Sequence, residues 1–302
     1  MKVLITGSNG LLGQKLVELL AKDAAIELIA TARGANRLPQ TDYSYEYCSL
    51  DVTHEQQVLE VIKKYTPDAI IHTAAMTNVD QCESEQEGCR KLNVEAVKYL
   101  INAASACGAF LLHLSTDFIF DGSHGPLDEE AEPNPISFYG QSKLDSEKLL
   151  IESDIDWAIA RTVLVYGLVN DMSRSNIILW VKKSLEEKKE IKVVTDQWRT
   201  PTLAEDLAQG CYLIVKKKAR GVFNISGEEM LTPYDMALKT AEYFDLDISS
   251  MSKANASNFT QPARRPPKTG FIIEKAKKVL GYKPHTFTEG IAILGEQLKE
   301  KT

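Results

Sequence analysis

The stretch Gly7-Ser8-Asn9-Gly10-Leu11-Leu12-Gly13 joins a short β-rich run, Lys2–Thr6, to a segment of helical periodicity, Leu11–Leu20. A glycine-rich turn between a strand and a helix is the context in which dinucleotides are bound. The glycines allow a close approach of the backbone to a pyrophosphate, and the N–H groups of the first helical turn attract its charge. The spacing is G-x-x-G-x-x-G rather than G-x-G-x-x-G, so a purely structural turn is the alternative. The cofactor candidates in this turn are Gly7, Asn9, Gly10, Leu11, Leu12 and Gly13.

Strand and helix patterns alternate from this turn to about Tyr166. The continuous apolar run Ala69–Ala75 is typical of a strand that helices cover on both faces. Such alternation predicts an α/β fold with a doubly wound parallel sheet of the Rossmann type. The other predicted strands are Glu27–Ala32, Tyr45–Leu50, Ala109–Leu114 and Trp157–Val165, and the helices after the first are His54–Tyr65, Glu87–Cys107 and Phe138–Ser153.

The pattern is less regular in the second half of the chain. Helices are predicted over Ile177–Lys188 and Pro233–Phe244, a strand over Gly221–Ser226, and a loop over Ser249–Lys268. We therefore predict a dinucleotide-binding domain over residues 1–166, to which a segment at about 203–226 returns. Residues at about 167–202 and 227–302 are expected to form a smaller C-terminal substrate-binding lobe.

The end of the second predicted strand bears on which dinucleotide is bound. Many NAD sites place an acidic residue about 20 residues after the glycine turn, where it holds the ribose 2′-hydroxyl. Here the stretch reads Ala30-Thr31-Ala32-Arg33, with Arg33 in place of the acid. A guanidinium binds phosphate with paired donors, which suits a 2′-phosphate. The sequence thus favours NADP(H), with NAD(H) as an alternative and a surface arginine without a role as the other interpretation.

A second candidate site is Tyr139-Gly140-Gln141-Ser142-Lys143, which opens a predicted helix. Tyr and Lys four residues apart share a helical face, and a nearby ammonium is expected to lower the pKa of the phenol. The phenol can then exchange a proton with a substrate oxygen. Y-x-x-x-K also occurs by chance, but here it follows a strand that ends in Ser115-Thr116-Asp117, and ligands bind at the carboxyl ends of such strands. Thr116 is placed to bond the same oxygen as Tyr139.

Composition excludes several classes of protein. The 302 residues include 35 Lys and Arg against 42 Asp and Glu, which gives a net charge of −7 and argues against nucleic-acid binding. The apolar runs are far shorter than the roughly 20 residues of a membrane span, and the N-terminus lacks a secretory pattern. The five cysteines are odd in number and form no C-x-x-C, which predicts free thiols, a cytoplasmic location and no structural zinc.

Taken together, these motifs resemble those of the extended short-chain dehydrogenase/reductase superfamily and, within it, the dTDP-4-dehydrorhamnose reductase family. The resemblance spans nearly the whole chain, with the motifs in the expected order. The stretches that carry it are Gly7–Gly13, Ala74–Asp80, Leu92-Asn93, Ser115–Gly122, Asn134–Lys143 and Pro262–Pro266.

The resemblance implies a role for each matching residue. Tyr139 would give a proton to the oxygen of a 4-keto sugar, and Lys143 would hold the nicotinamide ribose. Thr116 would bind the keto oxygen, with Asp117 supporting that pocket. The other implied cofactor residues are Asp51 and Val52 beside the adenine, Ala74, Ala75 and Thr77 along the channel, and Asn93 on a helix that faces it. Arg264 or Arg265 would meet the substrate diphosphate, although a solvated loop is an equal interpretation.

Several positions depart from the family pattern. Leu164 stands where the family has a Trp that packs against the sugar, which leaves the sugar open, and Trp198 is a candidate replacement surface. Trp198-Arg199 and Ser226–Thr232 also resemble the regulatory subunit of methionine adenosyltransferase, a relative that binds NADP and acts as a partner protein. Lys15 occupies a position where some members have a metal-binding glutamate, so no metal is expected.

The expected activity is NADPH-dependent reduction of the 4-keto group of a nucleotide-linked deoxysugar, in the simplest case dTDP-4-dehydro-L-rhamnose to dTDP-L-rhamnose. One alternative is another nucleotide-sugar reductase or epimerase. The other is an NADP-binding regulatory subunit without turnover. The expected partners are a nucleotide-sugar substrate and, as an option, a second copy of the chain, with neither nucleic acid nor membrane.

Overall fold

A seven-stranded parallel sheet occupies the centre of the protein in a computed structural model, which describes residues 1–38, 44–170 and 176–300. From one edge to the other, its strands are β10 (Gly221–Asn224), β6 (Trp157–Thr162), β5 (Phe110–Thr116), β4 (Ala69–His72), β1 (Lys2–Thr6), β2 (Glu27–Ala32) and β3 (Glu46–Ser49). The chain order reverses between β1 and β4. In open α/β sheets, ligands bind outside the carboxyl ends of the strands at such a reversal, and this position selects the region described below.

Helices cover both faces of this sheet. On one face α1 (Leu11–Leu20) packs beside α8 (Ala204–Lys217), and on the other α2 (Glu55–Tyr65) packs beside α5 (Ala96–Cys107). Every residue of β4 is buried, because apolar side chains of both layers close over it. The predicted α/β fold with a doubly wound parallel sheet is therefore confirmed.

Further elements lie outside the main sheet. Two small parallel pairs join β7 (Val165–Tyr166) to β9 (Thr202–Leu203) and β8 (Ile191–Val194) to β11 (Met251–Ala254). The remaining helices are α3 (Val79–Ser84), α4 (Gln86–Arg90), α6 (Phe138–Ile151), α7 (Ile177–Glu186), α9 (Pro233–Tyr243) and α10 (Phe287–Glu300). Helices α7, α9 and α10 share apolar clusters with the small pairs. The division of the chain into two domains stays a prediction.

Two predicted elements differ from the structure. The helix predicted over Glu87–Cys107 is divided into α4, a π-helical turn over Lys91–Glu95 and α5. The wide turn is stabilised by the side chain of Asn93, which hydrogen-bonds with the backbone of Met76. The loop predicted over Ser249–Lys268 contains β11, whose residues show no strand pattern and are ordered by pairing with β8.

Other boundaries shift by a few residues. The strand predicted to Ala75 ends at His72, and those predicted to Val165 and Ser226 end at Thr162 and Asn224. All five cysteines are free. In the part of the chain that the structure describes, no helix combines the length and the apolar character needed to cross a membrane.

Candidate active site

The glycine turn lies at the carboxyl end of β1, where two glycines make contacts that a larger residue would prevent. Gly7 has a φ of 73°, and a Cβ there would lie 2.8 Å from the backbone nitrogen of Ala74. A Cβ on Gly13 would lie 2.2 Å from the carbonyl oxygen of Gly7. The turn therefore brings the start of α1 against the end of β1 and the segment after β4.

The first turn of α1 begins at Gly10, and among the described residues no side chain caps it. Its N–H groups are thus available to an anionic group. The side chain of Asn9, a predicted cofactor residue, hydrogen-bonds with the backbone of another segment. It donates to the carbonyl oxygen of Ala35 at 2.9 Å and accepts from the N–H of Arg37 at 3.0 Å. Asn9 therefore fastens the glycine turn to the segment that follows β2.

Two arginines stand on that segment. Arg33 is exposed directly after β2, as the sequence predicted, and Arg37 is a second exposed guanidinium four positions later. Sequence analysis did not single out Arg37, because nothing local in the sequence shows that Asn9 would bind its backbone. Both side chains can reach solvent beside the glycine turn. Either is chemically suited to a phosphate group.

The remaining predicted cofactor residues lie at the ends of β3 and β4. Asp51 accepts from the N–H of Thr53 at 3.0 Å and from its hydroxyl at 2.7 Å, and Val52 is buried beneath. Ala74 and Ala75 are half-buried in the segment after β4, and Thr77 is exposed. These positions line the same edge of the sheet as the glycine turn. Their contact with a cofactor stays a prediction.

Asn93 sits in the π-helical turn with 1% of its surface exposed. Its amide pairs with both backbone polar groups of Met76, accepting from N–H at 2.8 Å and donating to the carbonyl at 3.1 Å. The same Nδ2 lies 3.0 Å from the hydroxyl of Ser142 on α6. The side chain thus supports the segment after β4 rather than standing free toward a ligand.

Tyr139 is held against the end of β5 by the close approach of α6. Ser137 caps this helix by accepting from the N–H of Gly140 at 3.2 Å. A Cβ on Gly140 would lie 2.1 Å from the carbonyl oxygen of Phe118, so only glycine permits this distance. The phenol of Tyr139 consequently lies beside the hydroxyl of Thr116, which lowers its pKa slightly, while its ring packs edge-on against Phe118.

The electrostatics of Tyr139 differ from the expectation. The nearby ammonium was expected to lower the pKa of the phenol, but burial raises that pKa above its ordinary value, against a smaller lowering by the hydrogen bond with Thr116. Lys143 does not offset this, because its Nζ lies 3.0 Å from Nε2 of His113. The phenol is therefore protonated and neutral, the state that a proton donor requires.

Lys143 belongs to a buried polar group that sequence analysis missed. His113 lies 3.0 Å from the hydroxyl of Ser146, and its ring stacks on that of His72 at 5.4 Å between centroids. Burial lowers the pKa of Lys143 to about 8 and that of His72 to about 3, since the charged forms lose solvation. The available signal was a histidine inside the apolar strand β5.

A second buried group surrounds Asp117. Its carboxylate accepts from the hydroxyl of Thr116 at 3.1 Å and from that of Thr269. Nε of Arg199 lies 3.5 Å from the same carboxylate. Sequence analysis assigned Thr116 and Asp117 to the site but gave no site role to Thr269 or to Arg199, which come from distant parts of the chain.

The predicted substrate residues are spread over the rim. Leu164 is 43% exposed with a φ of 38°, and Trp198 is 40% exposed, so neither belongs to the core. Arg265 binds Asp80 through two guanidinium nitrogens, at 2.7 and 3.1 Å. Arg264 is exposed beside it. Of the two arginines, Arg265 is thus committed to an ion pair within the protein.

Residues 1–299 match the protein family described as the RmlD substrate binding domain. The chain belongs to this family. The match covers the glycine turn, the Tyr139 and Lys143 helix and the second half of the chain alike. The predicted resemblance to dTDP-4-dehydrorhamnose reductases is confirmed by this match and by the solved structures below.

Relatives of this RmlD-family chain include reductases and a subunit of methionine adenosyltransferase 2. The beta subunit of methionine adenosyltransferase 2 from Rattus norvegicus is 31% identical over 255 residues, 83% of this chain and 74% of the relative. A dTDP-4-dehydrorhamnose reductase from Clostridium acetobutylicum shares 28% identity with a TM-score of 0.87, covering 99% of this chain and 100% of that one. A dTDP-4-dehydrorhamnose reductase from Bacillus anthracis, solved in complex with NADP, shares 27% identity with a TM-score of 0.83, covering 98% and 99%.

Lys15 has a defined partner in this RmlD-family chain. Its ammonium lies 2.9 Å from Oε1 of Glu205, and the same oxygen accepts from Nε2 of Gln297 at 2.7 Å. Within residues 1–38, 44–170 and 176–300, no three His, Cys, Asp or Glu side chains come together in a way that could hold a metal ion. The lysine supplies the positive charge that this carboxylate faces.

Proposed function

We propose that this protein reduces the 4-keto group of a nucleotide-linked deoxysugar with NADPH, with dTDP-4-dehydro-L-rhamnose as the first substrate to test. One observation carries the proposal: Tyr139 is buried at the start of α6, beside Thr116 at the carboxyl end of β5, and Lys143 is buried one helical turn away. The neighbouring glycine turn, at the carboxyl end of β1, fits a dinucleotide. The relatives that are dTDP-4-dehydrorhamnose reductases, one of them solved with NADP, support the same activity.

The residues present fit a dinucleotide, as the glycine turn illustrates. Side chains at Gly7 and Gly13 would fill space that the close packing leaves to the backbone, and the first turn of α1 offers N–H groups to a diphosphate. Arg33 and Arg37, which are both exposed on the segment after β2, would bind the 2′-phosphate. The rest of the dinucleotide would be lined by Asp51, Val52, Ala74, Ala75 and Thr77. Asn93 would support this site through its hydrogen bonds with the backbone of Met76. When bound, NADPH supplies the hydride.

Tyr139 performs the proton transfer in this proposal. Its protonated phenol donates to the oxygen of the keto group as negative charge develops there. Burial strengthens this interaction, because little solvent screens it. No metal is needed for this step.

Thr116 can serve the keto oxygen only by reorienting. A hydroxyl has one hydrogen, and in the structure that hydrogen is donated to Asp117 while the oxygen accepts from the N–H of Phe118 at 3.2 Å. The keto oxygen can only accept. Thr116 therefore either turns its hydrogen toward the substrate or acts as an acceptor that orients the phenol of Tyr139.

The substrate would lie against the rim formed by the second half of the chain. Arg264, which is exposed, is the better placed of the two arginines for the diphosphate, since Arg265 is engaged by Asp80. Leu164 and Trp198 present apolar surface for the sugar and base. The exposed Leu164 in place of a Trp is also the feature that favours a different nucleotide sugar, or an epimerase substrate, over dTDP-4-dehydro-L-rhamnose.

The test is NADPH oxidation with enzymatically prepared dTDP-4-dehydro-L-rhamnose, run beside NADH and beside Tyr139→Phe. Turnover that is lost in the variant supports the proposal. Absence of turnover with NADPH still bound contradicts this substrate, and a panel of other nucleotide-linked keto sugars then tests the pocket around Leu164.

A second candidate function is a regulatory subunit, favoured by the 31% identity to the methionine adenosyltransferase 2 beta subunit. Stable stoichiometric binding to a methionine adenosyltransferase catalytic chain, measured by co-purification, supports it. Turnover of a keto sugar without such binding contradicts it. The intact set of Thr116, Tyr139 and Lys143 favours the enzyme, because binding NADP alone does not require a buried proton donor.

A further inference from the structure

Arg199 is an almost fully buried cation, with 5% of its surface exposed. Its guanidinium donates to the carbonyl oxygens of Trp198 at 2.7 Å, Pro266 at 2.6 Å and Pro267 at 3.4 Å. Its Nε faces the carboxylate of Asp117 at 3.5 Å. The side chain thus joins the segment after β8 and the segment around Pro266 to the end of β5.

We propose that Arg199 is a positioning residue for the proposed reaction, which keeps Asp117 ionised and thereby fixes the hydrogen of the Thr116 hydroxyl beside Tyr139. The inference rests on the proposed function for its kinetic consequences. The effect of Arg199 on the ionisation of Asp117 does not depend on the proposed function and can be measured without a substrate.

The charge balance around Asp117 supports this role. With 2% of its surface exposed, the carboxylate loses solvation, and burial raises its pKa, while Arg199 and the hydroxyls of Thr269 and Thr116 lower it. Among the described residues, Arg199 is the cation with the largest effect on the pKa of Asp117. Burial and the nearby charge of Arg265 in turn lower the pKa of Arg199. Removing Arg199 leaves a buried carboxylate without a counter-charge, which favours its protonation.

The protonation state of Asp117 determines the direction of the hydrogen bonds that reach Tyr139. An ionised carboxylate can only accept, so the single hydrogen of the Thr116 hydroxyl is directed to Asp117 and is not available to Tyr139. The phenol of Tyr139 can then only donate to the oxygen of Thr116. A protonated carboxyl can donate to Thr116 and release this constraint. The orientation of the Tyr139 hydrogen then loses its support. The other titratable groups that face the phenol are the thiols of Cys82 and Cys89, and their negative charge, like that of Asp117, raises the pKa of Tyr139. A hydrogen bond with Cys82 lowers the pKa of Cys89 to about 7.

Arg199 also couples the site to the chain segment that carries Arg264 and Arg265. The backbone of Trp198 pairs with Pro267 and Thr269, and the guanidinium closes the same turn from inside through the carbonyl of Pro266. Thr269 then reaches Asp117. One side chain therefore sets both the charge at β5 and the position of the predicted diphosphate-binding segment.

The kinetic test compares Arg199→Met, Arg199→Lys and Asp117→Asn, with Arg220→Met as a control that removes an exposed ion pair with Asp156. In Arg199→Met we expect kcat to fall by about 10- to 100-fold, as for a misplaced reacting group. We also expect the acid limb of the pH profile to move up by about one unit or more, because Asp117 loses its counter-charge. Arg199→Lys retains the charge and should retain the wild-type limb. The double variant that combines Arg199→Met with Asp117→Asn should lose the acid limb of the pH profile. An unchanged kcat and pH profile in Arg199→Met overturns the inference.

A measurement without substrate separates this inference from the proposed function. In protein labelled with ¹³C at aspartate carboxyls, the Asp117 resonance is identified by its absence from Asp117→Asn. Its midpoint should rise in Arg199→Met and remain near the wild-type value in Arg199→Lys. A wild-type protein that reduces no keto sugar contradicts the proposed function alone, whereas an Asp117 midpoint that is the same in all three proteins overturns the role of Arg199.

Discussion

At the scale of single residues, Tyr139 makes the sharpest prediction. Removing its hydroxyl in Tyr139→Phe should reduce kcat by about two to four decades, the usual contribution of general acid catalysis. NADPH affinity should be nearly unchanged, because the phenol contacts Thr116 and not the glycine turn. Steady-state kinetics and fluorescence titration with NADPH measure the two quantities, with Tyr99→Phe as the control. A parallel loss of NADPH binding would assign Tyr139 to structure instead.

Lys143 links the activity to pH. Burial lowers the pKa of its ammonium to about 8, so the charge is present below that pH and is lost as the pH rises through it. We expect kcat/KM, which reports the free enzyme, to decline above about pH 8. Lys143→Arg should move this limb beyond the measured range, since arginine stays charged. A wild-type profile that remains flat well above pH 8 would contradict the assignment.

The choice between NADPH and NADH depends on the two arginines after β2. Arg33→Ala should raise the Kd for NADPH by about tenfold or more, the value of a charge-assisted hydrogen bond, and leave that for NADH within a factor of about two. Arg37→Ala is the matched variant, because its exposed guanidinium follows on the same segment. An equal rise of the Kd values for NADPH and NADH in Arg33→Ala would contradict the assignment of Arg33 to the 2′-phosphate. A selective effect confined to Arg37→Ala would assign that phosphate to Arg37.

At the scale of elements, the distance between α6 and the end of β5 determines the geometry of the site. In Gly140→Ala the new Cβ would lie 2.1 Å from the carbonyl oxygen of Phe118, so the helix must move. We expect a loss of stability of about 1–3 kcal/mol, typical of overpacking, together with a fall in kcat. Gly88→Ala is the control, because its Cβ would meet Met76 at an ordinary 3.7 Å. Equal melting temperatures for the two variants would show that α6 tolerates the displacement.

Elements that carry their own signal were predicted from sequence, and elements ordered by distant partners were not. The turn after β1 and the helix at Tyr139 contain their glycine and capping residues within a few positions. Strand β11 instead depends on β8, and the π-helical turn depends on the contact of Asn93 with Met76. Helices α8 and α10 were also not predicted from the sequence.

The site follows the same rule. Thr116, Asp117, Tyr139 and Lys143 occur in two recognisable stretches, so sequence analysis could single them out. The contacts of His113 and Arg199 could not be predicted from the sequence, because they are made with partners on other elements. The expected lowering of the Tyr139 pKa by Lys143 was wrong for a related reason: neither the burial of the phenol nor the contact of Lys143 with His113 can be derived from a four-residue spacing.

At the scale of the whole molecule, cofactor binding should stabilise the fold. A ligand at about 100 times its Kd adds about 2.7 kcal/mol to the free energy of unfolding. For a chain of this length we expect NADPH to raise Tm by roughly 5–10 °C, and NADH at the same concentration to raise it less. Differential scanning fluorimetry measures both shifts. Equal shifts with the two cofactors would contradict the predicted preference for NADP(H).

The position of β10 at the edge of the main sheet has a consequence for how the chain can be divided. Between β6 and β10 the chain leaves the sheet, forms β7, α7, β8 and β9, and returns through α8 before its last strand pairs with β6. A truncation after β6 would therefore leave an unpaired edge, and the remainder would lack the surface on which it packs. An exchange of residues 1–162 between homologues would therefore separate β10 from β6, its partner in the main sheet.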